Sequence, residues 1–424
     1  MVGTQIGYPM AMTDLAQVLC SALVLLAPLA AAGLALMNSG LGRSRSAAHA
    51  MLAPLCVLAV AAIAYCVCGW SWQSFPARPA HSIAIAGTWW NWIAAEPFFL
   101  RGLVLDGSPA ALAAWLQMFS VGIAALIPLG AGSERWRLGA SCASTAILAG
   151  WTYPLFAHWV WGGGWLAQLG VLDAGGAGTI QAVGGLTALA VAAILGPRHG
   201  KYDAEGIPAA LPGHNAVLVL FGCFLTWMGW MGLNGAGSLL FAGATAGSIV
   251  RVAMNTTISA AAGVLAAAAL TRARFGRPDA SLCANGWTGG LVASSAGCVW
   301  VAPAAAAVIG AIAGVLVMLS VEWLDIRRRV DDPAGAISVH AVGGLWGLLA
   351  VALLGPARWP AQLAAIATLL IFVLPMTYAL NRLLNRFYPQ RVSPDGEPHG
   401  LDLFELGAGA YPEFVTRRDD FRPR

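Results

Sequence analysis

The chain has 424 residues, of which 58% are hydrophobic and only 10% charged, with a mean hydropathy of +0.72 and a formal net charge of +4. Soluble domains carry about a quarter charged residues, so this chain cannot cover itself with polar surface and its solvent must be lipid. The small positive balance gives no case for nucleic-acid binding.

A helix needs about 20 apolar residues to cross the hydrocarbon core. Eleven such segments are expected, at 14–37, 49–70, 111–132, 137–156, 179–195, 215–233, 246–270, 281–299, 303–323, 336–354 and 361–383, which makes the chain an all-α polytopic membrane protein. The first is apolar and Ala-rich, as a secretory leader would be. No positive charge precedes it, however, and Arg43 and Arg45 follow it, the pattern of a retained span with an exported N-terminus.

Charge then sets the topology. Twelve basic residues fall in alternate loops: Arg43 and Arg45; Arg135 and Arg137; Arg198 and Lys201; Arg272, Arg274 and Arg277; Arg327, Arg328 and Arg329. The opposite loops hold only Arg78, Arg101 and Arg358. By the positive-inside rule the Arg-rich loops and the C-terminal tail are expected in the cytoplasm and the N-terminus outside, an alternation that needs an odd number of spans. The eight cysteines lie in apolar segments with Cys66 and Cys68 the only close pair, so neither a zinc pattern nor a disulfide framework emerges. They are expected to be small buried hydrophobes.

The fifth and tenth segments are near-copies of each other. Asp173-Ala-Gly-Gly-Ala-Gly-Thr-Ile-Gln181-Ala-Val-Gly-Gly-Leu186 reads again as Asp332-Pro-Ala-Gly-Ala-Ile-Ser-Val-His340-Ala-Val-Gly-Gly-Leu345, and each copy continues into an apolar helix ending in Leu-Gly-Pro. Five spans separate the copies, so they run in opposite directions. The expected plan is an inverted 5+5 repeat, with halves 14–195 and 215–354, plus a C-terminal helix at 361–383 and a cytoplasmic tail. Gln181 and His340 become symmetry mates, and paired polar groups near the bilayer centre are how many transporters build a substrate path.

His340 is flanked by Val339, Ala341 and Val342, where a charged side chain would cost about 2.5–3.5 kcal/mol or more. It is therefore expected to be neutral and to face protein or a pore, offering one donor and one acceptor to a small polar guest. The alternative is a packing histidine hydrogen-bonded between helices. Asp173 and Asp332 precede the polar pair by eight residues and are expected to cap helix N-termini; for Asp332, followed by Pro333, the structural cap is the preferred role. Asp173 lies on the external side and is also a candidate cation attractor. The run His158-Trp-Val-Trp161-Gly-Gly-Gly-Trp165 sits at that outer surface. Such tryptophans are ordinarily interface anchors, with cation–π capture as the second reading.

Over nearly its whole length the chain resembles the ammonium transporter superfamily (Amt, Mep and Rh proteins). The motifs are Gly33-Leu-Ala-Leu-Met-Asn-Ser-Gly40, Gln117 with Ser133-Glu134-Arg135, the His158–Trp161 run, Asp173 with Gln181, Gly229-Trp230-Met-Gly-Leu-Asn234, Val330-Asp-Asp-Pro333 with His340, and Gly400-Leu-Asp-Leu with Tyr411. The resemblance implies a homotrimer of eleven-span subunits, each passing ammonium or ammonia through its own pore across the inner membrane in nitrogen uptake. It implies a transmembrane domain over 1–384 and a regulatory tail over 385–424, whose motif looks like the segment that couples these transporters to PII-type signalling proteins. Trp161 matches the tryptophan of the recruitment site, Asp173 its supporting aspartate, Trp230 a vestibule tryptophan and His340 the second pore histidine.

Other positions depart from the pattern. The first pore histidine falls on Gln181. The first gating phenylalanine falls on Ser120, with Phe119 one residue out of register, and the second falls on Leu233. The serine that hydrogen-bonds recruited ammonium falls near Gly237, beside Ser238. A glutamine amide can bond a guest but has no accessible protonated form, so Gln181 is not expected to relay protons. Losing two rings removes cation–π partners of about 0.5–2 kcal/mol each and leaves a wider, wetter path. The expected activity is ammonium transport with weakened selectivity or altered proton coupling. Alternatives are an ammonium sensor or transceptor, with a vestigial pore signalling through the tail, and a small-solute channel. No enzyme chemistry, cofactor or metal motif is visible; the glycines at 162–164 lack the setting and lysine of a phosphate loop. The tail, with Asp395, Asp402, Glu405, Arg417, Arg418, Asp419 and Asp420, reads as a solvated segment, its last ten residues poorly ordered.

Overall fold

The computed structural model of the chain describes residues 12–76, 80–85 and 87–414. Arg78, Arg417, Arg418, Asp419, Asp420 and the last ten residues lie outside that set. The framework runs α1 (Asp14–Leu41), α2 (Ser44–Gln73), α3 (Pro109–Gly132), α4 (138–160), α5 (Ala177–Leu195), α6 (Ala216–Phe241), α7 (Ala246–Phe275), α8 (Ala280–Ser294), α9 (Pro303–Arg328), α10 (Ile337–Leu354) and α11 (Trp359–Phe387). Among the described residues, nine of these are long and apolar enough to cross a membrane, all but α4 and α8. α4 is continuous, but Ser141, Ser144, Thr145, Thr152, Tyr153 and His158 dilute its hydropathy. α8 stops after 15 residues, because turns from Ser295 through Gly297 end the helix expected to reach 299. α7 packs against it through Gly263 and Gly286 and against α9 through Gly263 and Gly314, and none of these has room for a side chain.

α5 and α10 cross at the centre. A Cβ on Gly185 would lie 2.2 Å from the Ala341 nitrogen, and one on Gly344 would lie 2.4 Å from the Ala177 carbonyl oxygen. Gly178, at the start of α5, meets Leu348 further along α10, so the two copies run in opposite directions as they cross. Only glycine allows this backbone approach.

Between α2 and α3 lies an antiparallel hairpin that the hydrophobic pattern did not announce, β1 (Ala80–Ile85) and β2 (Thr88–Ala94), with an irregular register between His81 and Ser82. It marks one end of the molecule, the hairpin side; the tail marks the other. The hairpin is clamped by the tryptophan run. The indole N–H of Trp159 donates to the Trp92 carbonyl at 2.7 Å, Trp165 stacks on Trp92 at 5.6 Å, and His158 Nε2 meets Asn91 Oδ1 at 3.0 Å. Trp159 and Trp161 are buried. The expected interface anchors Trp159 and Trp161 are thus packing residues: the hairpin covers Trp159 and accepts its N–H, and Trp161 is enclosed within the helices.

The tail is also unlike its expectation. Glu397, Leu401 and Asp402 are buried against the Arg-rich loops. Asp402 accepts the backbone N–H of Ala48 at 3.1 Å and of His49 at 2.8 Å, capping the first α-helical turn of α2 from a remote part of the chain. Glu405 accepts the Leu138 N–H at 2.8 Å and meets His49 Nε2 at 2.9 Å. A solvated reading fails because these carboxylates satisfy helix-end donors that the membrane helices leave open.

Candidate functional site

The repeat places its polar pair through the same local device twice. α5 and α10 each open with a turn widened to the i→i+5 pattern, at Ala177–Ala182 and Ile337–Val342, and these turns carry Gln181 and His340. Wide turns of this kind recur at functional sites. An aspartate anchors each turn. Asp173 Oδ2 accepts the N–H groups of Gly178 at 3.1 Å and Thr179 at 2.9 Å and the Thr179 hydroxyl at 2.9 Å. Asp332 accepts the N–H groups of Ala336 at 2.9 Å and Ile337 at 2.7 Å.

Gln181 and His340 touch: the imidazole Nδ1 and the amide Oε1 are 2.7 Å apart, and both side chains are buried. A carbonyl oxygen only accepts, so Nδ1 carries the proton and Nε2 keeps a bare lone pair. Among the described residues Nε2 has no hydrogen-bond partner. The other half of the amide, Gln181 Nε2, is also buried without one. A cavity reaches His340 from the tail side, lined by Leu34, Met37, Asn38, Asn285, Thr288 and Val339. The arrangement therefore offers one acceptor and one donor, both unspent, beside a cavity at the crossing of the two repeats.

On the hairpin side, Trp161 and Asp173 meet, with the indole N–H donating to the Asp173 carbonyl at 2.8 Å. Asp173 Oδ1 is buried and unpartnered. The indole face is not open, however. Phe241 stacks on Trp161 with ring centroids 4.4 Å apart, and Phe75 meets Phe241 edge-on at 5.2 Å. Trp230 is completely enclosed, its N–H donating to Ser295 Oγ at 3.2 Å. Among the described residues the gate positions hold no paired ring: Ser120 Oγ donates back to the Leu116 carbonyl at 2.9 Å, Leu233 is buried, and Phe119 stacks on no other ring. Ser238 is buried with Oγ 3.6 Å from Cys298 Sγ. One further polar group escaped the sequence reading: Tyr153 donates to Gln117 Oε1 at 2.5 Å, close to Ser120. The Gln117 motif signalled the position but not the partner.

At the tail side a buried charge cluster ties four Arg-rich loops together. Arg198 donates to Glu134 at 2.6 Å and to both oxygens of Asp331 at 2.9 and 3.0 Å. Arg43 pairs with Glu134, and Arg135 donates to the Asp331 carbonyl at 2.8 Å. Burial pushes the Asp331 carboxyl up, but the Arg198 hydrogen bonds and the Arg135 charge outweigh it and hold the group below its ordinary value.

The family model "Ammonium Transporter Family" matches residues 16–411. Among curated proteins, the ammonium transporter Amt2 of Archaeoglobus fulgidus is 35% identical over 91% of this chain and 85% of its own length. The ammonium transporter of Bacillus subtilis is 29% identical over 90% of this chain and 94% of its own. Among solved structures, one described as a sensor Amt protein superposes with a TM-score of 0.85 at 27% identity, covering 92% of this chain and 98% of that one. Candida albicans Mep2 shares the fold, with a TM-score of 0.80 at 24% identity over 91% and 87% of the two chains.

Proposed function

Because the chain belongs to the ammonium transporter family, we propose that it passes ammonium or ammonia across the membrane beside the Gln181–His340 contact. The observation that carries this is the bare Nε2 of a buried His340, a residue that lines a cavity while its Nδ1 is held by Gln181. A guest N–H can donate to that lone pair. With an amide in place of a second imidazole, the path lacks a partner that can take up and release the proton, so net charge movement should differ from that of a histidine pair. Trp161 and Asp173 form the recruitment end, with Trp230 supporting it. Asp332 and its counterpart hold the wide turns in register.

In this reading residues 1–384 form the transmembrane domain of eleven spans, α4 and α8 included, and residues 385–424 the cytoplasmic regulatory tail. The Arg-rich loops support placing the tail side in the cytoplasm of an inner membrane and the N-terminus outside. The working unit is a homotrimer, with a PII-type signalling protein as the tail's partner, and no enzymatic reaction or cofactor is assigned. A second reading, an ammonium sensor or transceptor, is favoured by one observation: the tail is docked across the Arg-rich loops, where ammonium occupancy could be reported.

Reconstitution of the full chain in liposomes tests the proposal. Ammonium jumps should evoke currents or luminal alkalinisation, with K+ as competitor, and His340→Ala should lose most of the ammonium-dependent signal. A protein silent to ammonium, or a signal indifferent to His340→Ala, would overturn it.

A further inference from the structure

Resting on the transport reading, we propose that Phe241, backed by Phe75, is the gate at the hairpin end of the path, closing on Trp161 where Ser120 and Leu233 replace the two gating rings. The stacked rings of Phe241 and Trp161 lie at 12° with centroids 4.4 Å apart, and Phe75 stands at 90° to Phe241. No ion fits between rings so close, so this indole face is sealed while Phe241 is in place. The three rings come from three elements: the end of α4, the end of α6 and the loop after α2. Two of them are fixed. Trp161 is tied to the Asp173 carbonyl at 2.8 Å, and the segment bearing Phe75 is held by His158 Nδ1 at 2.6 Å from the Gln73 carbonyl. Phe241 is the last residue of α6, partly exposed, ahead of a turn through Gly243 at φ 64°. It is the ring that can swing.

Gly237 explains why the ring reaches Trp161. It lies one helical turn before Phe241, and a Cβ there would sit 2.5 Å from the Ala174 carbonyl oxygen. Any side chain at 237 would push the end of α6 from segment 173–175 and lift Phe241 off the indole. Loss of a hydroxyl at this position and gain of the ring plug are thus one structural change. Ser238 does not replace the hydroxyl, since its Oγ faces Cys298.

The test does not depend on transport. In the full chain in liposomes, a Ser120→Cys thiol lies roughly 16 Å along α3 from its hairpin end. A charged, membrane-impermeant thiol reagent is added on the hairpin side, and modification at 120 is timed by peptide mass spectrometry, which separates it from the eight native cysteines. With Phe241 present the reaction should be slow. Phe241→Ala, and independently Gly237→Ser, should speed it about fivefold or more, the scale set by losing an aromatic stack, while Phe241→Trp should stay slow. Variants are compared only where they elute as the parent does; if Phe241→Ala fails to fold, Gly237→Ser and Phe241→Leu carry the comparison. Equal rates across the set would overturn the gate. Currents in parallel liposomes separate the two proposals: a silent parent with the predicted labelling defeats transport and keeps the gate. An ammonium-conducting parent with unchanged labelling does the reverse.

Discussion

At the scale of the single residue, the Gln181–His340 contact decides the chemistry. Gln181→His would set a second titratable ring against His340, so liposomes carrying it should show ammonium signals with greater dependence on pH than the parent; a pH profile identical to the parent's would mean that the amide never limited proton movement. Gln181→Leu asks a different question. It leaves the buried Nδ1–H without a partner, which should destabilise the fold by about 1–3 kcal/mol, read as a lower unfolding temperature in detergent. This pair was legible in the sequence because the repeat spacing of 159 residues carried both members into one register. Phe241 was not legible. Its partner lies 80 residues earlier in the chain, and only the absence of a side chain at Gly237 brings them together. No local pattern encodes a stack between the ends of two distant helices.

At the scale of the element, inverted copies meet through glycine and are started by aspartate. Gly185→Ala or Gly344→Ala would place a methyl within 2.2–2.4 Å of the facing backbone. Such overpacking should cost about 1–3 kcal/mol, and thermal unfolding of the purified protein should register each as destabilising. Opposite direction, capping roles for Asp173 and Asp332 and a predominantly helical fold all follow from the motif and from hydropathy. Helix ends do not. α8 stops at Ser294 because tertiary turns capture the following backbone, which apolar length cannot foretell. The hairpin escaped notice for a related reason: β2 is Thr-Trp-Trp-Asn-Trp-Ile-Ala, whose clustered tryptophans resemble an interfacial belt, whereas their partners lie on the far side of α3 in sequence.

At the scale of the whole molecule, the tail is the part that can turn events in the path into a signal, since it caps α2 and contacts α4 while the cavity beside His340 opens toward the same side. Its grip is electrostatic. Burial raises the Glu405 carboxyl, but the hydrogen bond from His49, the Leu138 N–H and the charges of His49 and Arg137 together hold it below its ordinary value. A group depressed in the docked state contributes docking in full above the free carboxylate pKa of about 4.3 and loses it as pH falls through the lowered value. The tail should therefore stay docked at neutral pH and release only in acid, as this carboxylate becomes protonated. Removing the cap at neutral pH should imitate acid: Asp402→Ala deletes acceptors for two α2 donors, a loss of about 0.5–2 kcal/mol, and Glu405→Gln removes the ionic part of the neighbouring contact. Both should expose the tail to limited proteolysis near 400–406 well above the acid range, with the membrane helices left intact. If the tail of these variants resists protease as the parent's does, the carboxylates do not hold it. If it is released and ammonium flux is unchanged, the tail carries no influence over the path, and regulation must reside in the loops it covers.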